Sequence, residues 1–206
     1  MKSIYQTSFS NQKVLVRVDF NVPLNSKKKV TDTSRIVAAK KTIDKITNDG
    51  GTAILMSHLG RPNGNDPELS LSHIVEAVED VLGKPILFSS QVIGKETLSI
   101  IKDSKPGQVI LLENLRYHTE EEKGDVSFAK ELSFLADSYV NDAFGTAHRA
   151  HASTSVVAGF FKENKFAGDL LLKEVDSIKK VIDDGKKPVL AILGGAKVSS
   201  KITIIN

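Results

Sequence analysis

One arrangement recurs five times along this chain and constrains its fold more than any other feature. A short apolar run ends abruptly in a polar, turn-forming segment. Thr52-Ala53-Ile54-Leu55-Met56 opens into Ser57-His58-Leu59-Gly60-Arg61-Pro62, and Lys13 to Val18 opens into Asp19-Phe20-Asn21-Val22-Pro23. Val109 to Leu112 leads to Glu113-Asn114-Leu115-Arg116, Ser138 to Val140 to the segment Asn141–His151, and Pro188 to Leu193 to Gly194-Gly195-Ala196-Lys197. Such runs read as buried parallel strands, and the segments after them as loops at the carboxyl edge of a sheet. In open α/β sheets that edge is where ligands bind.

Between the runs lie helical patterns. Thr31–Ser34 offers several capping residues before an apolar-periodic stretch that ends at Asn48-Asp49-Gly50-Gly51. Ser70–Leu82, Gly94–Ile101 and Val126–Leu135 read the same way, with a short strand at Pro85–Phe88. The alternation predicts an α/β protein: three layers, α/β/α, around a mainly parallel, doubly wound, Rossmann-like sheet. The helical stretch Asp169–Ile182 ends at Asp184-Gly185, before the last run. We therefore expect a domain over 1–168, a connecting helix and linker over 169–187, and the start of a second domain over 188–206.

Arginine is scarce and placed, whereas lysine is spread throughout. The chain holds five arginines, Arg17, Arg35, Arg61, Arg116 and Arg149. Three lie in the post-strand loops, and Arg35 falls in the first turn of a helix. Guanidinium is the group suited to a bidentate grip on phosphate or carboxylate. The pattern points to a site for a small, strongly anionic molecule. The net charge of +3 is mild and aromatics are 6% of residues, which argues against a nucleic-acid surface.

Other chemistries fare worse. There is no cysteine, and no G-x-S-x-G elbow supports a serine nucleophile. His148 and His151 have H-x-x-H spacing without a ligand set around it, so no metal is expected. Glu120–Asp125 reads as a solvated acidic loop and helix start. No signal core opens the chain and no run reaches the ~20 apolar residues of a membrane span, so the expectation is a cytoplasmic monomer without membrane partner. The Gly194-Gly195-Ala196-Lys197 loop is neither a Walker A nor a G-x-G-x-x-G motif, yet Lys197 and Lys201 beside two glycines suit phosphates.

Six stretches together resemble the phosphoglycerate kinase family, in order: Asp19–Leu24, Asp32–Ile36, Ser57–Pro62, Glu113–Arg116, Asn141–His151 and Leu193–Val198. The resemblance runs over essentially the whole chain and corresponds to the family's N-terminal half plus the start of its nucleotide domain. It implies reversible phosphoryl transfer between 1,3-bisphosphoglycerate and ADP, giving 3-phosphoglycerate and ATP. By that resemblance Asp19, Phe20 and Asn21 meet the glycerate, and Arg35 contacts its reacting carboxyl group. His58, Arg61, Arg116 and Arg149 hold the 3-phosphate, and Leu59 and Gly60 are counted among the substrate-binding residues. Gly194, Gly195, Lys197 and Lys201 contact ATP or ADP, whose Mg2+ complex is held mainly by the rest of the nucleotide domain, and Lys197 stabilises the phosphoryl group in flight. Because most of the nucleotide domain is missing from the resemblance, substrate binding without efficient turnover is expected. The rival reading is a non-enzymatic anion- or nucleic-acid-binding module.

Overall fold

In the computed structural model, which describes residues 2–183 and Leu190, six strands form one sheet and every pairing is parallel. They are β1 (Lys13–Arg17), β2 (Thr52–Met56), β3 (Ile86–Phe88), β4 (Val109–Leu111), β5 (Ser138–Asn141) and β6 (Lys165–Ala167), in the order β3-β4-β2-β1-β5-β6. Helices fill the crossovers: α1 (Ser34–Asn48), α2 (Val75–Leu82), α3 (Lys95–Asp103), the single turn α4 (Thr119–Lys123) and α5 (Val126–Ser133). A further helix, α6 (Asp169–Asp183), follows β6.

Strands β1, β2 and β4 are mostly apolar because both of their faces are covered. Alternate residues face opposite ways: Val14, Val16, Ala53 and Leu55 pack with Ile36, Ile43 and Ile46 of α1 and Val78 of α2. Leu15, Ile54, Met56 and Tyr139 pack on the other side with Ile101 of α3 and Phe128 and Leu132 of α5. The result is the expected three-layer α/β/α fold. The chain enters at the middle strand, builds outward through β2, then crosses back over β1 to β5. The reversal places the loops after β1, β2, β4 and β5 around one point, the switch point at which such sheets bind ligands.

The chain divides into two compact units, Met1–Glu174 and Val175–Asn206, the division falling inside α6. Of the second unit, Val175–Asp183 continue as helix. The expected strand over 188–193 is described only at Leu190, and Gly194, Gly195, Lys197 and Lys201 lie outside the described residues.

Several local expectations are corrected. The helix expected over Ser70–Leu82 begins as a 3-10 turn, Leu71–Ile74, capped by the Ser70 hydroxyl. Within the four candidate capping residues of α1, Thr33 holds the cap position without a side-chain bond and Asp32 accepts the Ser34 amide at 2.8 Å, as that set allowed. The edge strand β6 is an addition to the strands expected from the sequence. The largest correction concerns Glu120–Asp125. This is not a wholly solvated loop, because Glu121 of α4 is 1% exposed and fully hydrogen-bonded inside the protein.

Candidate functional site

Asp19, Asn21, Arg35, His58, Gly60, Arg61, Arg116, Gly145, Thr146 and Arg149 line one cavity of about 310 Å³ at the carboxyl edge of the sheet. They come from four post-strand loops and the first turn of α1. All four arginines singled out from the loops and the helix start therefore meet in one place. Phe20 and Leu59 do not line it: both side chains are buried in the apolar core beneath. Gly145 and Thr146 join the wall beside them, and their signal was their place in the loop after β5.

Buried polar groups stitch the loops together, so the wall is held before any ligand arrives. The Ser57 hydroxyl accepts the Phe20 amide at 2.8 Å, tying the β2 loop to the β1 loop. Asn21 Oδ1 accepts the Gly60 amide at 2.9 Å. Asn114, fully buried, donates to the Leu59 and Leu69 carbonyls at 2.8 Å each and accepts the Arg116 amide at 3.1 Å. The Glu113 carboxylate takes the Leu71 and Asn114 amides and the Ser70 hydroxyl, each at 2.7 Å. Gly60 sits at φ +60°, where a side chain is strained and an added Cβ would lie 2.8 Å from the end of the Leu69 side chain, so glycine is favoured at this turn.

The charges differ in how far they are already satisfied. Arg35 is half exposed and reaches back to the Asp19 carboxylate. Arg116 donates to the Gly60 carbonyl at 2.6 Å and pairs with Glu122 at 3.1 Å. Arg61 and Arg149 are exposed and make no ion pair among the described residues. A second cavity, of about 250 Å³, shares Asp19, Arg35 and Gly145 and is closed by Leu170 and Glu174, so Arg35 stands between two openings.

His58 is the unusual member. Burial, reinforced by Arg17, Arg116, Arg35 and Arg149, pushes its pKa down to about 2. It is therefore neutral at physiological pH. Arg17 Nη2 lies 3.2 Å from His58 Nδ1, and a guanidinium can only donate. Nδ1 must accept, the ring proton sits on Nε2, and that nitrogen is a fixed hydrogen-bond donor. Guanidinium groups, a neutral imidazole donor and loop amides, with one carboxylate and one amide for a hydroxyl, suit a phosphate ester carrying a polar organic body.

The phosphoglycerate kinase profile matches residues 4–206. The chain belongs to the phosphoglycerate kinase family. It is 46% identical to a phosphoglycerate kinase of Porphyromonas gingivalis, over 98% of this chain and 54% of that one. With that of Moorella thermoacetica the identity is 50%, over 95% of this chain and 49% of the other. The phosphoglycerate kinase structure of Pyrococcus horikoshii superposes with a TM-score of 0.90 at 28% identity, covering 100% of this chain and 51% of that one. That of Coxiella burnetii gives 0.81 at 35% identity, covering 98% and 50%. The chain thus spans about half the length of the phosphoglycerate kinases it matches. Among the described residues no group of three His, Asp or Glu side chains is placed to hold a metal ion.

Proposed function

We propose that the cavity binds 3-phosphoglycerate or 1,3-bisphosphoglycerate, and that the chain provides the glycerate side of reversible phosphoryl transfer to and from ADP. One observation carries the reading: Arg35, Arg61, Arg116, Arg149 and neutral His58 converge on one cavity built from four separate loops. Arg61, Arg116, Arg149 and His58 hold the non-reacting 3-phosphate. Asp19 and Asn21 orient the hydroxyl and carboxyl end, and Arg35, at the boundary between the two cavities, neutralises the carboxyl group that gains or loses the phosphoryl group.

This chemistry needs no general base. A carboxylate nucleophile is ionised at neutral pH, and phosphoryl transfer depends on positioning and charge neutralisation. The nucleotide, ATP or ADP with Mg2+, is held mainly by the rest of the family's nucleotide domain, with Gly194, Gly195, Lys197 and Lys201 contributing by family resemblance. Taken by themselves, the 206 residues bind the glycerate without efficient turnover, as a cytoplasmic monomer with no nucleic-acid partner.

Titration calorimetry with 3-phosphoglycerate tests the reading. The wild-type chain binds, and Arg61→Ala loses affinity by about tenfold or more, the worth of one charge-assisted contact. Equal binding by the two proteins, or binding to single-stranded DNA alone with steep salt dependence, overturns it.

A further inference from the structure

Behind the cavity wall lies a second polar assembly that touches no ligand. Arg17 ends β1 on the same sheet face as Leu15, and its side chain is buried. Its Nε donates to Ser153 Oγ at 2.9 Å, Nη1 donates to the Val18 carbonyl, and Nη2 faces His58 Nδ1 at 3.2 Å. Ser153 in turn donates from Oγ to Glu121 Oε1 at 2.5 Å and from its amide to Oε2 at 2.9 Å. An unbroken line therefore runs Glu121–Ser153–Arg17–His58.

The line admits one arrangement of protons. Glu121 only accepts, so the single Ser153 hydroxyl proton points to it and Oγ is left to accept from Arg17. Arg17 only donates, so His58 Nδ1 accepts. The segment carrying Ser153 is itself anchored: residues 152–156 form one wide π turn, and the Tyr139 hydroxyl reaches the Ser153 and Thr154 carbonyls at 2.9 and 3.0 Å. Other ionisable groups face the line. His151 Nδ1 lies 3.8 Å from Glu121, and Arg116, Glu122 and Asp19 lie on the cavity side.

Charge makes Glu121 the keystone of the line. Arg17 is a buried cation behind four cavity arginines, and burial drags its pKa down while Glu121 opposes that most strongly. A buried guanidinium without a counter-charge would turn toward water or disrupt its surroundings. We propose that Glu121 is a positioning residue for the anion site: acting through Ser153 and Arg17, it holds the His58 imidazole as a fixed Nε2–H donor facing the cavity. The binding half of this inference rests on the function proposed above; the effect on the His58 ring does not.

Two readouts on the full chain separate the two. In nitrogen-15 spectra of the imidazole, wild-type Nδ1 carries the shift of a hydrogen-bond acceptor. Glu121→Gln and Ser153→Ala move it toward the free-imidazole position, with the melting transition retained. Ser153→Ala cuts the line without removing a charge, so it keeps the test decisive should Glu121→Gln fail to fold. Both variants weaken 3-phosphoglycerate binding about fivefold, the worth of one hydrogen bond, and neither weakens it further once His58→Gln is present. An unchanged Nδ1 signal overturns the inference, and so does a loss of affinity that simply adds to that of His58→Gln. Absence of 3-phosphoglycerate binding in the wild type would instead overturn the function proposed above, with the Nδ1 comparison still deciding the role of Glu121.

Discussion

Glu122 Oε1 sits 3.1 Å from Arg116 Nη2, at the rim of a cavity that Arg116 helps to line. The two neighbouring glutamates of α4 thus act differently. Glu121 is enclosed behind the wall, while Glu122 pairs with an arginine assigned to the proposed phosphate site. Glu122 is 56% exposed, so the pair is screened and worth at most about 1 kcal/mol. Glu122→Gln should therefore tighten 3-phosphoglycerate binding by up to about fivefold at low salt, with the gain fading as ionic strength rises. Calorimetry at two salt concentrations checks both.

His58 makes stability depend on acid in a definite direction. Its folded pKa of about 2 lies below the ordinary value of 6.5. Only the unfolded chain takes up this proton as the pH falls below 6.5, so the group's stabilising contribution is present above 6.5 and is lost toward pH 2. By pH 4 the loss is on the order of 3 kcal/mol. In urea unfolding at pH 7, 6, 5 and 4, His58→Gln should be the less stable protein at pH 7, and the gap to wild type should close as the pH falls.

Asp142 should behave in the opposite sense. Its carboxyl is buried with Oδ2 unpaired among the described residues, while Oδ1 accepts the Leu171 amide at 3.1 Å. Burial pushes its pKa up to about 7 from 3.8. The folded state therefore holds a proton that the unfolded chain has released, and stability falls as the pH rises from about 4 to 7. The cost is on the order of a few kcal/mol. Asp142→Asn should flatten that decline, gaining on the wild type from pH 4 to 7 in the same urea series. A parallel pair of curves would show that Asp142 ionises normally.

Much of this was legible in the sequence, and the misses share a cause. Strands β1, β2, β4 and β5 announce themselves because burial on both faces demands continuous apolar runs. The edge strand β6 is three residues, beginning with exposed Lys165, and carries no such signal. The cavity arginines could be read because arginine is scarce and falls after strands. Arg17 and Glu121 could not be read as partners, because a buried charge is recognisable only through what neutralises it. Ser153, which joins them, lies 136 positions from Arg17 and 32 from Glu121. The acidic composition around Glu121 looked like solvent-exposed surface for the same reason.

Gly124 offers a test of how α4 is held. It closes that helix at φ +65°, and a Cβ there would lie 2.4 Å from the Ala150 carbonyl oxygen. Gly124→Ala combines a left-handed backbone with a backbone clash and should cost about 2–3 kcal/mol of unfolding free energy. Since α4 carries Glu121 and Glu122, 3-phosphoglycerate affinity should fall as well. Chemical denaturation and calorimetry on one preparation measure the two effects together.

The central position of β1 has a kinetic corollary. Val14 must meet Ala53 on one side and Ser138 on the other, so the second pairing waits on a distant part of the chain. Joining such remote segments is slow, because the loop entropy is spent before the contacts form. Arg149 reaches the other arginines only when β5 docks. During refolding the ability to capture an anion should thus emerge as one of the last events, after most of the helical signal has returned.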